Sequence, residues 1–247
     1  MQASLPMYDF ASVRGATDRF WQAIRAALGK GPETLMRDGT VWEAWQHPDL
    51  LLSQTCGLPY RARLHGKVTL IGTPDYGLPG CGPGDYNSVF VARADDPREA
   101  LSEFQGARFA VNSATSQSGW AGPIIDARSK GVRFGDPVKT GAHAASARAV
   151  AAGQAEIAAL DAVSWHFMQQ EEAFARRLKV VDTTSPTPGL PYITSLDGDP
   201  QALFDAIAQA ISDLPDADRT ALSIKGIVRI PAEKYLAVPT PAPPEFP

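Results

Sequence analysis

The 247-residue chain has little of what marks several large protein classes. It has no excess of base: 23 Lys and Arg stand against 27 Asp and Glu, a net charge of −4. A nucleic-acid surface shows a basic patch or stripe, so no nucleic-acid partner is expected. No apolar run approaches the roughly 18–20 residues of a membrane span. Histidine is scarce and scattered, at positions 47, 65, 143 and 166, and the two cysteines, Cys56 and Cys81, are far apart. No metal-ligand spacing results, so neither a metal nor another cofactor is expected. Two cysteines permit one disulfide in an oxidising compartment and are equally compatible with two free thiols. The Gly-rich run Gly80-Cys81-Gly82-Pro83-Gly84 lacks the Lys-Ser/Thr ending of a phosphate loop, which argues against nucleotide binding. The opening segment, Met1 to Tyr8, has no basic region and no long apolar stretch, so it does not read as a secretory signal. The expectation from this segment is a cytoplasmic chain, or one whose signal lies outside these residues.

What is present is an alternation of short β-like runs with helical runs, which indicates an α/β class with mostly parallel strands. Strands are predicted at 3–8, 35–36, 50–55, 68–73, 88–93, 108–111, 155–160, 178–182 and 192–195. Helices are predicted at 17–28, 40–47, 117–129, 142–152, 162–171 and 200–214. In the first, Phe20, Ile24, Ala27 and Leu28 recur at helical spacing and Gly29 ends the run. In the last, Leu203, Ile207, Ile211 and Leu214 share a face. Pro74–Gly84 is a Gly/Pro-rich loop, and Pro239–Pro247 reads as an extended tail. Breaks at Asp95-Asp96-Pro97 and at Thr183–Pro191 suggest that the chain leaves one lobe near residue 95 and returns near residue 188. The expected lobes are 1–94 with 188–247, and 95–187. Two connecting strands would form a hinge, with a ligand cleft between the lobes.

Three segments carry chemistry. Asn112-Ser113-Ala114-Thr115-Ser116-Gln117-Ser118-Gly119 follows a predicted strand and opens a predicted helix. A helix N-terminus offers unpaired N–H groups and the positive end of the dipole, which suit an anion, and hydroxyls add neutral donors. A hydroxyl-rich helix cap without ligand accounts for the same residues. His143, in Thr140-Gly141-Ala142-His143, also stands at a predicted helix start, where its ring could donate to a ligand oxygen or serve only structure. Asp161 ends a predicted strand, at the end where α/β sheets bind ligands. An N-cap for the next helix explains it almost equally well. An ionised Asp only accepts hydrogen bonds, so it would favour a protonated P–OH or a ligand amine and reject sulfate. In the first lobe, Tyr8 and Tyr60 follow predicted strands and are candidates to wall a ligand, with plain core or surface tyrosines as the alternative.

Five blocks in order, LPMYD, QTCGLPY, VNSATSQSG, TGAHAASARAVAAGQAEIAALD and SPTPGLPYITS, resemble the phosphate, phosphite and phosphonate solute-binding proteins of ABC transporters. The resemblance covers nearly the whole chain. It implies a type II periplasmic-binding-protein fold of two Rossmann-like lobes joined by a two-strand hinge. It also implies a binding protein rather than an enzyme. The small oxyanion would be held by Thr115, Ser116, Ser118, His143 and Asp161, with Tyr8 and Tyr60 as first-lobe contacts. The partners implied are that small-molecule ligand and an ABC permease of the membrane, with the protein a monomer in the periplasm. Gln117 departs from the family pattern by replacing a small hydroxyl residue. Two other readings stay open. One is a sensor with the same fold; the other is a thiol-dependent hydrolase built from Cys56, His143 and Asp161.

Overall fold

The computed structural model describes residues 1–246. The chain folds into two units, one formed by residues 1–85 and 188–237, the other by 86–187 with the tail from 238. Both central passages are short strands, Asp85–Tyr86 and Thr187–Pro188. The first passage was expected near residue 95. It falls earlier because Ser88–Arg93 is a strand of the second unit, hydrogen-bonded along both edges to Ile157–Asp161 and Leu178–Thr183. The tail, expected with the first lobe, belongs to the second unit.

The first unit is a five-stranded sheet in the order Gln2–Ala3, Leu50–Gln54, Tyr192–Thr194, Thr69–Asp75, Gly226–Val228. Its first pair is parallel and the rest are antiparallel. The helices Arg14–Leu28 and Pro200–Asp213 bury Phe20, Trp21, Ile24, Leu203, Ile207 and Ile211 in one core. Asp199 caps the second by accepting the N–H groups of Gln201 and Ala202 at 3.1 and 3.0 Å. Gly29 ends the first in the left-handed region, φ 71°, where a side chain would be strained. A second cluster gathers Trp45, Leu50, Tyr60, Leu64, Val68, Ile193 and Tyr235.

The second unit is a five-stranded sheet in the order Pro137–Lys139, Phe109–Val111, Ile157–Asp161, Ser88–Arg93, Leu178–Thr183. The first three strands run parallel, while Ser88–Arg93 is antiparallel to both its neighbours. Phe90, Val91, Ala110, Ile157, Ala158 and Leu160 are almost wholly buried in it.

The expectation of mostly parallel strands is therefore corrected: both sheets are mixed. Hydrophobic runs such as Ser88–Arg93 show that a strand is buried on both faces, but they do not show its direction. The first strand is shorter than expected, Gln2–Ala3, and Pro6 has no N–H to continue a ladder. The 35–36 strand is absent; Met36 makes one backbone bond to the Ala3 carbonyl, at 2.8 Å. The 40–47 helix contracts to Val41–Trp45, opened by a capping box in which Thr40 and Glu43 bond each other reciprocally. No helix or strand occupies 239–246, as expected of the tail, and its last residue, Pro247, lies outside the described residues. Among the described residues, no helix is long and apolar enough to cross a membrane.

Candidate functional site

The strand Phe109–Val111 delivers the chain into the hydroxyl-rich turn. There Ser113 Oγ lies 3.0 Å from Thr115 Oγ1 and accepts the Thr115 N–H at 3.2 Å. Ser116 follows in an extended conformation, with its Oγ accepting the Gly119 N–H at 2.9 Å, an ordinary N-cap. Capping uses one acceptor position of that hydroxyl and leaves its O–H to donate. A wide π-type turn, Gln117–Ala121, then leads without a break into the α-helix Gly122–Ser129. Such turns inside helices are frequent at functional sites. Ser116, Gln117 and Ser118 are buried, while Thr115 is partly exposed.

Ser118 reaches across to the second segment: its Oγ is 2.9 Å from His143 Nε2. His143 opens the helix His143–Ala151, and Ala142 at its N-cap offers no side-chain acceptor. The first-turn amides of that helix therefore lack the side-chain partner that caps usually supply. Burial pulls the His143 pKa down to about 4, so the ring is neutral at pH 7. Thr140 fixes the approach to this helix. Its N–H and Oγ1 both donate to the Val111 carbonyl, at 3.0 and 3.1 Å, and its Oγ1 lies 2.6 Å from the buried Ser146 Oγ.

Two residues outside the expected set shape this junction. Gly119 has no room for a side chain: a Cβ there would overlap Asn112 Oδ1 and approach His143 Cε1 to 3.2 Å. Asn112 and Gly119 thus bring the strand end, the turn and the His143 ring together. The sequence carried a signal for this, an Asn at a strand end and a Gly seven residues on, but no reason to join them. Gln117, the departure from the family pattern, is 2% exposed and folds its amide against Gly122, where a Cβ would come within 3.1 Å of Nε2.

Asp161 ends its strand, 2% exposed, and its Oδ1 accepts the Ser164 N–H at 2.9 Å. It is thus the N-cap of the helix Ala162–Glu171. The second unit hydrogen-bonds Ser118 to His143 and sets Thr115 and Ser116 in the same turn as Ser118, with Ser116 bonded to the Gly119 N–H.

The two tyrosines belong to the first unit. Tyr60 is 3% exposed in the second cluster of that unit, edge-on to Tyr235 at 5.4 Å and to His65 at 6.0 Å. Its ring is core, the alternative the sequence allowed. Tyr8 is partly exposed and meets Tyr76 edge-on at 5.3 Å. Cys56 and Cys81 are not joined in a disulfide. Among the described residues no His, Cys, Asp and Glu group is arranged to hold a metal.

A family model described as ABC transporter, phosphonate, periplasmic substrate-binding protein matches residues 52–235. Solved structures match at low identity. PhnD1 from Prochlorococcus marinus (MIT 9301), in complex with methylphosphonate, has a TM-score of 0.74 at 16% identity, covering 95% of this chain and 94% of that one. XAC2383 from Xanthomonas citri, bound to ATP, has a TM-score of 0.68 at 17% identity, over 96% and 94% of the two chains. PA3383 from Pseudomonas aeruginosa, a binding protein component of an ABC phosphonate transporter, has a TM-score of 0.66 at 15% identity, over 92% and 80%. At such identities the likeness shows the fold, that of the periplasmic binding proteins. No protein with a curated description matches the chain.

Proposed function

The chain belongs to the phosphonate family of periplasmic ABC-transporter substrate-binding proteins, and on that premise we propose that its second unit grips the phosphorus oxyanion of a phosphonate, phosphite or phosphate. The observation that carries this reading is the Ser118–His143 pair. A hydroxyl and a neutral imidazole sit 2.9 Å apart where two helices begin. All the donors in this arrangement are uncharged, which suits capture and release better than a buried cation would. Thr115 and Ser116 extend the donor set with hydroxyls, and Asp161 contributes an acceptor. A carboxylate there favours a ligand that brings its own proton or an amine, and repels sulfate. Of the two first-unit tyrosines proposed as contacts, Tyr8 is partly exposed, while Tyr60 is packed in the core of its unit.

The family works by handing a small molecule to an ABC permease, and we extend that role to this chain: binding without turnover, in the periplasm, as a monomer. The hydrolase reading would need Cys56 as nucleophile, and a Cys56→Ala protein with unchanged ligand affinity would dispose of it. The test of the site is calorimetric titration with methylphosphonate. A hydrogen bond to a charged group contributes about 1.5–3 kcal/mol, so Ser118→Ala should weaken binding roughly 10- to 100-fold. An unchanged affinity in a folded Ser118→Ala protein would remove this turn from the site.

A further inference from the structure

We propose that the proline-rich C-terminal tail is a positioning strap for the oxyanion turn, holding Trp120 and the strand beside the His143 loop in the geometry that ligand binding uses. This goes beyond the binding reading but shares its site.

Two contacts carry the proposal. The Trp120 indole N–H donates to the Ala242 carbonyl at 3.1 Å. Lys139 Nζ lies 5.7 Å from the centre of the Phe246 ring, within cation–π range. Trp120 belongs to the π-type turn itself, two residues after Ser118. Lys139 pairs with Val111, the residue that leads into the hydroxyl turn, and is followed by Thr140, whose hydrogen bonds set the approach to His143. The tail therefore touches both donor-bearing segments, at Trp120, two residues after Ser118, and at Lys139, four residues before His143.

The surroundings of Trp120 explain why such a strap has an effect. Trp120 borders a cavity of about 210 Å3, together with Phe109, Ile124 and Phe134. A ring at the wall of an open pocket has fewer packing partners on that side, and its indole hydrogen bond adds a constraint there. The tail is also suited to the task. Residues 238–246 read Val-Pro-Thr-Pro-Ala-Pro-Pro-Glu-Phe, with four prolines. Proline restricts the backbone before docking and lowers the entropy cost of ordering an extended segment. It also removes N–H groups that would need partners in a segment without secondary structure.

The test uses the full chain, with Pro239, Pro241, Pro243 and Pro244 replaced by glycine and Phe246→Ala, and a second variant, Trp120→Phe, which keeps a ring but removes the donor. Hydrogen exchange is measured without ligand, so the result does not depend on the proposed function. Amides of 113–121 and 139–144 should exchange at least tenfold faster in both variants, with Ser88–Arg93 and Ile157–Asp161 unchanged. Methylphosphonate affinity should fall in parallel wherever the parent protein binds it. Unchanged exchange in the two segments, or a uniform rise across the whole second unit, overturns the proposal. Failure of the parent protein to bind methylphosphonate would count against the functional reading and leave the exchange result to decide the strap.

Discussion

At the scale of single residues, the His143–Ser118 pair sets what the proposed site can do. For Ser118 to donate to an oxyanion, His143 Nε2 must carry the ring proton and donate to Ser118 Oγ. The opposite tautomer consumes the serine's only proton. Nitrogen-15 shifts of the imidazole should therefore report the Nε2–H form when methylphosphonate is bound, and an Nδ1–H form would take Ser118 out of the donor set. Burial also makes His143 a stability determinant. Its pKa is about 4 in the folded chain against roughly 6.5 unfolded. Between those values the unfolded chain binds the extra proton. The stabilisation is fully present above pH 6.5 and is lost as pH falls toward 4, by up to about 3 kcal/mol. Denaturant titrations of the parent and of His143→Gln should diverge at pH 7 and converge near pH 4; parallel pH profiles would mean that His143 is not buried neutral. The 119 position allows less still. A Cβ in Gly119→Ala would overlap Asn112 Oδ1, so this variant should lose about 1–3 kcal/mol of stability by overpacking, read from its denaturation midpoint.

At the scale of elements, Asp161 shows how two explanations of one residue can be separated. It caps the Ala162–Glu171 helix through Ser164, and its place at a strand end is also where a ligand acceptor belongs. Asn caps about as well as Asp, but it carries no charge. Asp161→Asn should therefore keep its melting temperature and bind sulfate more readily, whereas Asp161→Ala should lose about 1 kcal/mol with the cap. A sharp loss of stability in Asp161→Asn would show that the charge serves the fold. The same elements show what could be read from sequence. Pro200–Asp213 and Arg14–Leu28 were legible because their apolar residues repeat at helical spacing and their ends carry Asp199 and Gly29. Ala162–Glu171 was legible to the residue, although its buried side chains surround the helix more evenly. Short elements were not. Pro137–Lys139 has three residues, begins with proline and becomes a strand only by pairing with Phe109–Val111. Gly226–Val228 exists as a strand only through its ladder to Thr69–Asp75. Tertiary pairing makes such elements, and no local pattern announces it.

At the scale of the whole molecule, the class of fold, the order of its blocks and the return passage near residue 188 were legible, while the outward passage was not. The Asp95-Asp96-Pro97 break looks like a boundary, but Asp96 and Arg98 are an ion pair in a loop of the second unit. The real passage at Asp85–Tyr86 follows directly on the Gly/Pro-rich run Pro74–Gly84, which reads as an ordinary loop and not as a boundary between units. The candidate turn was legible as a cluster of hydroxyls before a helix. Its packing was not, because Asn112, Gly119 and Trp120 become partners of His143 and the tail only in three dimensions. The central claim, that this molecule captures a phosphorus oxyanion, is tested most directly by thermal unfolding against methylphosphonate, phosphite, phosphate and sulfate. Ligand at 100 times its dissociation constant adds about 2.7 kcal/mol, which for a chain of this size is a rise of roughly 5–11 °C. A rise of that size with at least one phosphorus oxyanion and none with sulfate is the expected result; a rise with sulfate alone, or with none of the four, would contradict the claim.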